Sequence, residues 1–310
     1  MRILSWHVHG AWSTAFVRGA HDHLIPVTPD RGPDGRGRPT TYEWPERARE
    51  VTPEELRESP VDVVLLQRPH EIELCERWTG LRPGRDVPAV YVEHNAPQGR
   101  IAEMRHPMAD RDDLTLVHVT HFNALFWDAG GTPVRVVEHG IPDPGHRYTG
   151  EIPHACVVVN EPVRRGRVTG TDLLPRLNGE VHIDLFGIDS EPLGGQGDVP
   201  HGRLLTEMAR RRVYLHPVRW TSLGLSLLEA MHLGMPVVAL ATTEVTDAVP
   251  EECGVVSNRI DVLRDALSAF ARDPDRARRA GDAAREAALA RFGLERFLAD
   301  WDTLLQEVVR

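Results

Sequence analysis

Short runs of valine, isoleucine and leucine alternate with polar segments along both halves of this 310-residue chain. Uninterrupted apolar runs are typical of strands that are buried on both faces of a parallel sheet, since a sheet with one solvated face would show alternating polar residues. Strands that alternate with helices in turn predict doubly wound α/β domains. At this length the chain is expected to form about two of them.

In the first half, five strands and two helices are predicted: strands Arg2–Val8, Val61–Leu66, Val87–Glu93, Leu114–Thr120 and Val134–Glu138, and helices Glu54–Glu58 and His70–Trp78. The segment 28–41, TPDRGPDGRGRPTT, predicts a loop because glycine and proline interrupt any period. A second Gly/Pro-rich stretch, IPDPGHRYTGEIP at 141–153, predicts the domain boundary. The domains are therefore expected at residues 1–148 and 149–292, with a closing segment at 293–310.

The second half repeats the alternation with shorter connections. Its predicted strands are Ala155–Val159, His182–Phe186, Val213–Pro217, Pro236–Ala241 and Gly254–Val256, and its predicted helices are Asp172–Leu177, Gly202–Arg210 and Leu223–Leu233. The tail from Ile260 to Arg310 is predicted to be helical, with a break near Phe292–Gly293. In sheets of this kind, ligands bind beyond the carboxyl ends of the strands.

Composition and charge exclude several classes of function. The net charge of −10 argues against binding to nucleic acid, because phosphate neutralisation needs a basic surface. All 36 basic residues are arginines, so any fixed cation at a site must be an arginine. The three scattered cysteines predict neither disulfides nor a zinc site. No run approaches the length of a transmembrane segment and no signal peptide is evident, so a cytoplasmic location is expected.

The segment 213–240, VYLHPVRWTSLGLSLLEAMHLGMPVVAL, carries the strongest functional pattern. A strand ends there, and a helix is expected to open at Leu223–Gly224, so that its unpaired amides offer a site for a diphosphate. Gly224 would allow phosphates to approach closely, and Ser226 could add a hydroxyl. Glu229 lies about a turn and a half into the helix, where its carboxylate could accept hydrogen bonds from a ribose diol.

The run SLGLSLLEAMHLGMPVVA resembles the donor-site signature of the family 4 retaining glycosyltransferases, and the chain resembles a short, actinobacterial-like member of that family. The end of the chain, ARFGLERFLADWDTLLQEV, resembles the closing helix of the family. Weaker similarity covers VYVEHNAP, LTLVHVTHFNALFW and VRVVEHGIPD in the first half. The resemblance implies the GT-B fold, in which two facing Rossmann-like domains flank a cleft and a C-terminal helix crosses back. The first domain would serve the acceptor and the second the donor.

The same resemblance implies transfer of a sugar, with retention of anomeric configuration, from a nucleotide-diphosphate sugar to a hydroxyl of a sugar or small-molecule acceptor. It implies no obligatory metal or other cofactor. In the family signature two glutamates stand eight residues apart; here the first position is Thr221 and the second is Glu229. The first glutamate typically contacts the donor sugar, so the departure at Thr221 leaves open a nucleotide-binding relative without transferase activity, acting as a regulatory or partner subunit.

Further site residues follow from the resemblance. The family's basic pair after the first strand of the donor domain falls in VVVNEPVRRGRVTGTDLL, where Arg164, Arg165 and Arg167 are the candidates and the last two are favoured. Gly187, after the next predicted strand, joins the donor-binding set together with Leu223. In the first domain, Gly10 in HVHGAW corresponds to the family's glycine-rich loop. His94, at the end of a strand, corresponds to a histidine near the transferred sugar, and it is expected to position groups more than to act as a base.

The 16 histidines support one alternative, a metal-dependent hydrolase. His7 and His9, and likewise His21 and His23, have the HxH spacing that places two ligands on one face of a strand. Such a site needs further ligands from later strands, for which His118 and His121 are available. Under this alternative, the similarity at 213–241 would be a coincidence.

Overall fold

The computed structural model describes residues 1–40 and 42–310 and divides them into two compact units. One unit comprises residues 1–140 together with 294–310, and the other comprises residues 141–293. The boundaries predicted from the sequence lie after residues 148 and 292. Thr41, the last residue of the predicted loop 28–41, lies outside the described residues.

The first unit is built on a seven-stranded sheet in which every pair of neighbouring strands is parallel. The strand order is β3-β2-β1-β4-β5-β6-β7. The strands are β1 Arg2–Ser5, β2 Asp22–Pro26, β3 Ala48–Val51, β4 Val63–Leu66, β5 Ala89–Glu93, β6 Thr115–His118 and β7 Val134–Val136.

Helices cover both faces of this sheet, which is why the central strand β4 is apolar throughout and its neighbours β1 and β5 carry polar residues only at their ends. The helices of the first unit are α1 Gly10–Phe16, α2 Pro53–Glu58, α3 Glu71–Thr79, α4 His121–Phe126 and the C-terminal α12 Leu294–Val309, with a short 3₁₀ segment at Ile101–Glu103. Ile3 packs with α1 and with Trp301 of α12, whereas its neighbour Leu4 packs with α2 and α3. This alternation follows from the two-residue period of a strand.

The second unit has a five-stranded parallel sheet of order β12-β11-β10-β8-β9. Its strands are β8 Ile152–Val158, β9 Ile183–Phe186, β10 Arg211–His216, β11 Val237–Ala239 and β12 Gly254–Val256. Its helices are α5 Gly166–Thr169, α6 Leu174–Leu177, α7 His201–Arg210, α8 Leu225–Leu233, α9 Val245–Ala248, α10 Ile260–Arg272 and α11 Pro274–Phe292, with 3₁₀ segments at Thr171–Leu173, Glu191–Leu193 and Glu251–Cys253.

The two faces of this second sheet carry different helices. Helices α7, α8 and α11 pack on the face that includes Tyr214, and α6 and α10 pack on the face that includes Val213. Two layers of helix around a parallel sheet make a doubly wound α/β unit. The predicted α/β class is therefore confirmed for both units.

Some elements differ from the sequence prediction, each for a local reason. Strands β2 and β3 were not predicted, because their apolar runs are interrupted: β3 is the edge strand and carries Arg49 and Glu50, and β2 beside it begins with Asp22 and His23. Helix α1 begins at Gly10, inside a segment predicted as a loop. Helix α8 begins at Leu225 because Gly224 has an extended backbone and caps the helix. The helical tail breaks at Gly293 as predicted, and it also breaks at Asp273, which caps α11.

Among the described residues, none of the helices combines the length and the apolar character needed to cross a bilayer.

Candidate functional site

The most distinctive edge of the second unit lies at the carboxyl ends of β8 and β10. Strand β10 ends at His216, and α8 begins nine residues later at Leu225. The amides of Leu225 and Ser226 lie in the first turn, where no carbonyl one turn back can accept from them. Gly224 supplies no side-chain cap. Among the described residues these amides have no acceptor, so the helix presents them and the positive end of its dipole at this edge, an arrangement that suits an anion.

The absence of a side chain at Gly224 allows a close approach to His216. A methyl group at Gly224 would lie 2.6 Å from Cε1 and 3.4 Å from Nε2 of this imidazole. His216 is 1% exposed, and burial lowers its pKa to about 4, so the ring is neutral at pH 7. Its Nε2 has no hydrogen-bond partner among the described residues. The helix start thus has a buried, neutral ring nitrogen beside it.

His216 was missed by the sequence analysis. It is the last residue of the buried strand β10 and immediately precedes Pro217. A histidine that directly follows the run Val213–Leu215, just before the loop that leads into the signature helix, was the available signal. Its meaning depends on the contact with Gly224, which the sequence does not reveal.

Glu229 lies on α8 with a carboxylate that is 15% exposed. Its Oε1 accepts a hydrogen bond from Nε2 of His201 at 2.8 Å. This hydrogen bond raises the pKa of His201, against the opposing effect of burial. His201 is the first residue of α7, so two helices that follow different strands bring these side chains together. The sequence predicted Glu229 as a site residue but not its partner.

The other residues predicted near the helix start have different environments. Leu223 is buried in the core, so only its backbone can reach a ligand. Ser226 Oγ lies 2.9 Å from Tyr214 Oη and donates to the carbonyl of Val158 at 3.3 Å, so this hydroxyl turns toward the sheet. Thr221 is half-buried in the loop between β10 and α8. The roles predicted for these three residues in donor binding stay predictions.

The three candidate arginines follow β8 and differ in their partners. Arg164 forms a bidentate pair with Glu161, with Nε to Oε1 at 2.8 Å. Arg167 lies 3.1 Å from Asp172, and its side chain is 80% exposed. Arg165 is half-buried, and its guanidinium makes no hydrogen bond or ion pair with any residue that the structure describes. Of the three, Arg165 is the one whose charge is available to a ligand.

This arginine-bearing segment, residues 161–170, is held against the loop that leads into α8. Gly170 adopts φ +74°, and a methyl group there would lie 1.7 Å from the carbonyl oxygen of Pro217. The backbone amide of Arg219 donates to the carbonyl of Val168 at 2.9 Å, and its guanidinium pairs with Asp172. The free guanidinium and the helix start therefore belong to adjoining loops at one edge of the sheet.

Gly187 closes the neighbouring connection after β9. It has φ +126°, and a methyl group there would lie 2.1 Å from the carbonyl oxygen of Val159. The next amide, of Ile188, donates to Oδ1 of Asn160 at 3.0 Å. The structure thus gives this glycine a packing role between two connections, and its predicted contact with a donor stays a prediction.

In the first unit, His94 directly follows β5 and is buried beside two other rings. The ring centroids of His94 and His9 are 4.0 Å apart, and the ring of Trp12 meets His94 edge-on at 4.9 Å. Burial, followed by the proximity of His9 and His139, holds the pKa of His94 well below its usual value. His94 is therefore neutral at pH 7 and can offer a hydrogen bond but not a charge.

Gly10 is the first residue of α1, close to this group of rings. A methyl group there would lie 3.6 Å from His7 and 3.7 Å from Tyr42, which is ordinary contact. The described residues of the first unit therefore do not require glycine at this position. The predicted phosphate contact of Gly10 stays a prediction.

The histidines offered for a hydrolase site do not converge. His7 Nδ1 lies 3.0 Å from the carbonyl of Gly37, and His23 is buried with its pKa lowered to about 3 by burial. Across residues 1–40 and 42–310, just one group of three His, Cys, Asp or Glu side chains brings its ligand atoms within 4.8 Å, and it contains none of the predicted pairs. This geometry does not support the metal-dependent hydrolase.

Residues 195–287 match the family model described as Glycosyl transferases group 1. This range contains α7, α8 and Glu229. A sequence search of the curated proteins found no match.

Solved structures share the fold at low sequence identity. Sucrose-phosphate synthase from Thermosynechococcus elongatus is similar over 99% of this chain and 98% of its own, with TM-score 0.73 and 14% identity. The Anabaena protein HepE in complex with UDP is similar over 99% of this chain and 100% of its own, with TM-score 0.68 and 12% identity. A glycosyltransferase from Rickettsia africae is similar over 100% of this chain and 98% of its own, with TM-score 0.66 and 12% identity. The predicted GT-B fold is confirmed.

Proposed function

We propose that this chain transfers a sugar from a nucleoside-diphosphate sugar to the hydroxyl of a sugar or other small acceptor. One observation carries the proposal: the free amides at the start of α8, the carboxylate of Glu229 and the unpaired guanidinium of Arg165 are grouped in the second unit. The match of residues 195–287 to group 1 glycosyl transferases supports the same conclusion.

Each group suits one part of the donor. The diphosphate accepts hydrogen bonds from the amides of Leu225 and Ser226, and Arg165 adds a fixed positive charge. The ribose diol donates to Glu229 and replaces its hydrogen bond with His201. The carboxylate can accept from two hydroxyls at once, which suits a diol.

In the proposed reaction, the bond between the anomeric carbon and the diphosphate oxygen breaks, and its electron pair leaves with the phosphate. The acceptor oxygen bonds to the anomeric carbon, and its proton passes to the leaving phosphate. Positive charge at Arg165 and at the start of α8 stabilises the charge that develops there. His94, which is neutral, is the proposed positioning residue of the first unit.

Retention of anomeric configuration and independence from a metal are both part of the proposal and rest on the family resemblance. The stereochemistry is tested by following the anomeric proton of the first product formed by NMR. Turnover is expected to persist in EDTA, because arginine and the helix dipole supply the charge that a metal would otherwise provide.

Binding is tested with a thermal-shift panel of UDP, GDP, ADP and TDP and their sugars, confirmed by calorimetry. We expect one base to stabilise the protein, and Glu229→Gln to weaken binding at least tenfold. Glu286→Gln is the matched control, since Glu286 is an exposed glutamate on α11 of the same unit. Failure of every nucleotide to bind, or equal binding by Glu229→Gln and the control, would overturn the proposed donor site.

Thr221 favours a second candidate function, a nucleotide-binding relative that does not transfer sugar. In this case the nucleotide binds at Glu229, but no donor sugar is consumed with any acceptor or with water. Thr221→Glu restores the acidic residue of the family signature. Donor turnover that appears only in Thr221→Glu would favour the second function, whereas turnover by the natural chain would exclude it.

A further inference from the structure

A separate group of ligating side chains lies at the amino ends of β8 and β9, at the edge opposite the start of α8. His154 is in β8, His182 immediately precedes β9, and Asp184 is in β9. The parallel register pairs Ala155 with Ile183 and Cys156 with Asp184. Because alternate strand residues share a face, His154, His182 and Asp184 all project from the face that carries α7.

The two imidazoles approach the two oxygens of a single carboxylate. His154 Nδ1 lies 3.1 Å from Oδ2 of Asp184, and His182 Nε2 lies 3.3 Å from Oδ1. The two rings are 4.8 Å apart between centroids. All three ligand atoms lie within 4.8 Å of one another. Ligands at about 2.0–2.1 Å from a tetrahedral zinc ion are separated by roughly 3.3 Å, and His182 Nε2 already lies at this separation from Oδ1 of Asp184.

Arg211 and Glu207 hold the carboxylate in place from the other side. Nε of Arg211 donates to Oδ2 of Asp184 at 2.9 Å, and the same guanidinium pairs with Glu207. Arg211 is buried as the first residue of β10, so its position is set by the sheet. Outer hydrogen bonds of this kind orient a metal-binding carboxylate and leave its second oxygen for the ion.

We propose that His154, His182 and Asp184 bind one divalent transition-metal ion, with Zn²⁺ as the occupant that this ligand set favours. Two imidazole nitrogens and one carboxylate oxygen form a borderline donor set, which suits zinc better than magnesium or calcium. The side chains of His154 and His182 are 35% and 61% exposed, so an ion and a completing water can enter. Within the set of ion pairs that joins them, the three carboxylates of Asp184, Glu207 and Glu151 outnumber the guanidiniums of Arg210 and Arg211, which favours a cation.

The ion would act as a structural clamp at this edge and would take no part in sugar transfer. Strand β10 has six residues and runs between the two edges, so the separation is roughly 17 Å or more. An ion held jointly by β8 and β9 stabilises the folded second unit by mass action. The proposal does not depend on the proposed function, and it adds a metal where the sequence predicted none.

The test uses the full chain, first freed of metal with EDTA and then titrated with ZnCl₂ by calorimetry and thermal shift. We expect one ion per chain and a rise in the midpoint of unfolding. His182→Asn and His154→Asn should each weaken binding at least tenfold. Co²⁺ bound at the same site should show visible absorption bands of tetrahedral intensity, which both variants lose.

His146→Asn is the matched control, because His146 lies 3.5 Å from Asp282 in the same unit and, among the described residues, belongs to no group of three ligands. It should bind zinc as the natural chain does. The proposal is overturned if zinc produces no shift, or if zinc binds equally to His182→Asn and His146→Asn, as expected of scattered surface histidines. Nucleotide binding measured with and without zinc separates this outcome from failure of the proposed function.

Discussion

His201 donates a hydrogen bond to Glu229 across 2.8 Å, so the carboxylate proposed to bind a ribose diol is already engaged by an imidazole. A ribose that takes the carboxylate must displace this imidazole. Binding of the donor and protonation of His201 are therefore linked, because protonated His201 is stabilised chiefly by its contact with Glu229.

The first prediction concerns pH. The pKa of His201 is raised in the folded chain, so the pair stabilises the fold fully below the ordinary histidine pKa near 6.5, and this stabilisation is lost as pH rises through the folded value. Displacement by a ribose releases the proton, so affinity for a nucleotide sugar should increase from pH 6 to pH 8. Calorimetry with an intact nucleotide sugar avoids titration of a terminal phosphate. His201→Gln should abolish the dependence, and a dependence that survives in this variant would contradict the linkage.

The second prediction concerns Gly224 and its contact with His216. Gly224→Ala places a methyl group 2.6 Å from a buried imidazole and should lower the free energy of unfolding by about 1–3 kcal/mol. Urea unfolding measures this change. Gly202→Ala is the control, because Gly202 lies in α7 with open space around it. The free energy of unfolding of Gly202→Ala should be unchanged or higher by up to about 1 kcal/mol. Equal effects of the two variants would show that the contact is not tight.

A third prediction compares two glycines of similar backbone conformation. Gly80 has φ +78° with nothing near its missing side chain, so Gly80→Ala should cost only the roughly 1–2 kcal/mol of a left-handed backbone. Gly170 has φ +74°, but its methyl group would overlap the carbonyl of Pro217. Gly170→Ala should therefore be more destabilising in urea unfolding. It should also weaken nucleotide binding, because residues 161–170 lose their anchor. Similar costs for both variants would argue against this anchor.

The fourth prediction separates the arginines. Arg165→Ala should weaken binding of the nucleoside diphosphate by about 10–100-fold, because a charge-assisted hydrogen bond is lost. The affinity for the free nucleoside, which has no phosphate, should hardly change. Arg164→Ala removes a guanidinium that Glu161 already pairs, so it should change diphosphate affinity little. Isothermal titration of both variants decides between them. A larger loss in Arg164→Ala would reassign the phosphate contact.

Most of the parallel strands could be predicted, because a strand that is buried on both faces has a continuous apolar sequence. The runs around Leu65, Val90 and Val213 are continuous and apolar, and the structure places them in central strands. Strand β3 could not be predicted because an edge strand tolerates charged residues, here Arg49 and Glu50, which interrupt the apolar run. Strand β2 is internal, but it begins with Asp22 and His23, so its apolar run is only three residues long. The start of α8 was predicted two residues too early, since the sequence does not show whether Gly224 caps the helix or lies within it.

Local patterns in the sequence specify the α/β class, the helix that follows β10 and the position of Glu229 on it, because each depends on a period or a motif within a few residues. The packing of helices and strands sets which of these side chains have hydrogen-bond or ion-pair partners. His201 reaches Glu229 only because α7 and α8 pack together on one face of the sheet. Within the part of the chain that the structure describes, Arg164 and Arg167 pair with carboxylates and Arg165 does not, and His154 meets His182 only through the register of β8 and β9. Such partnerships join residues distant in the chain, and only the packing of whole elements fixes them.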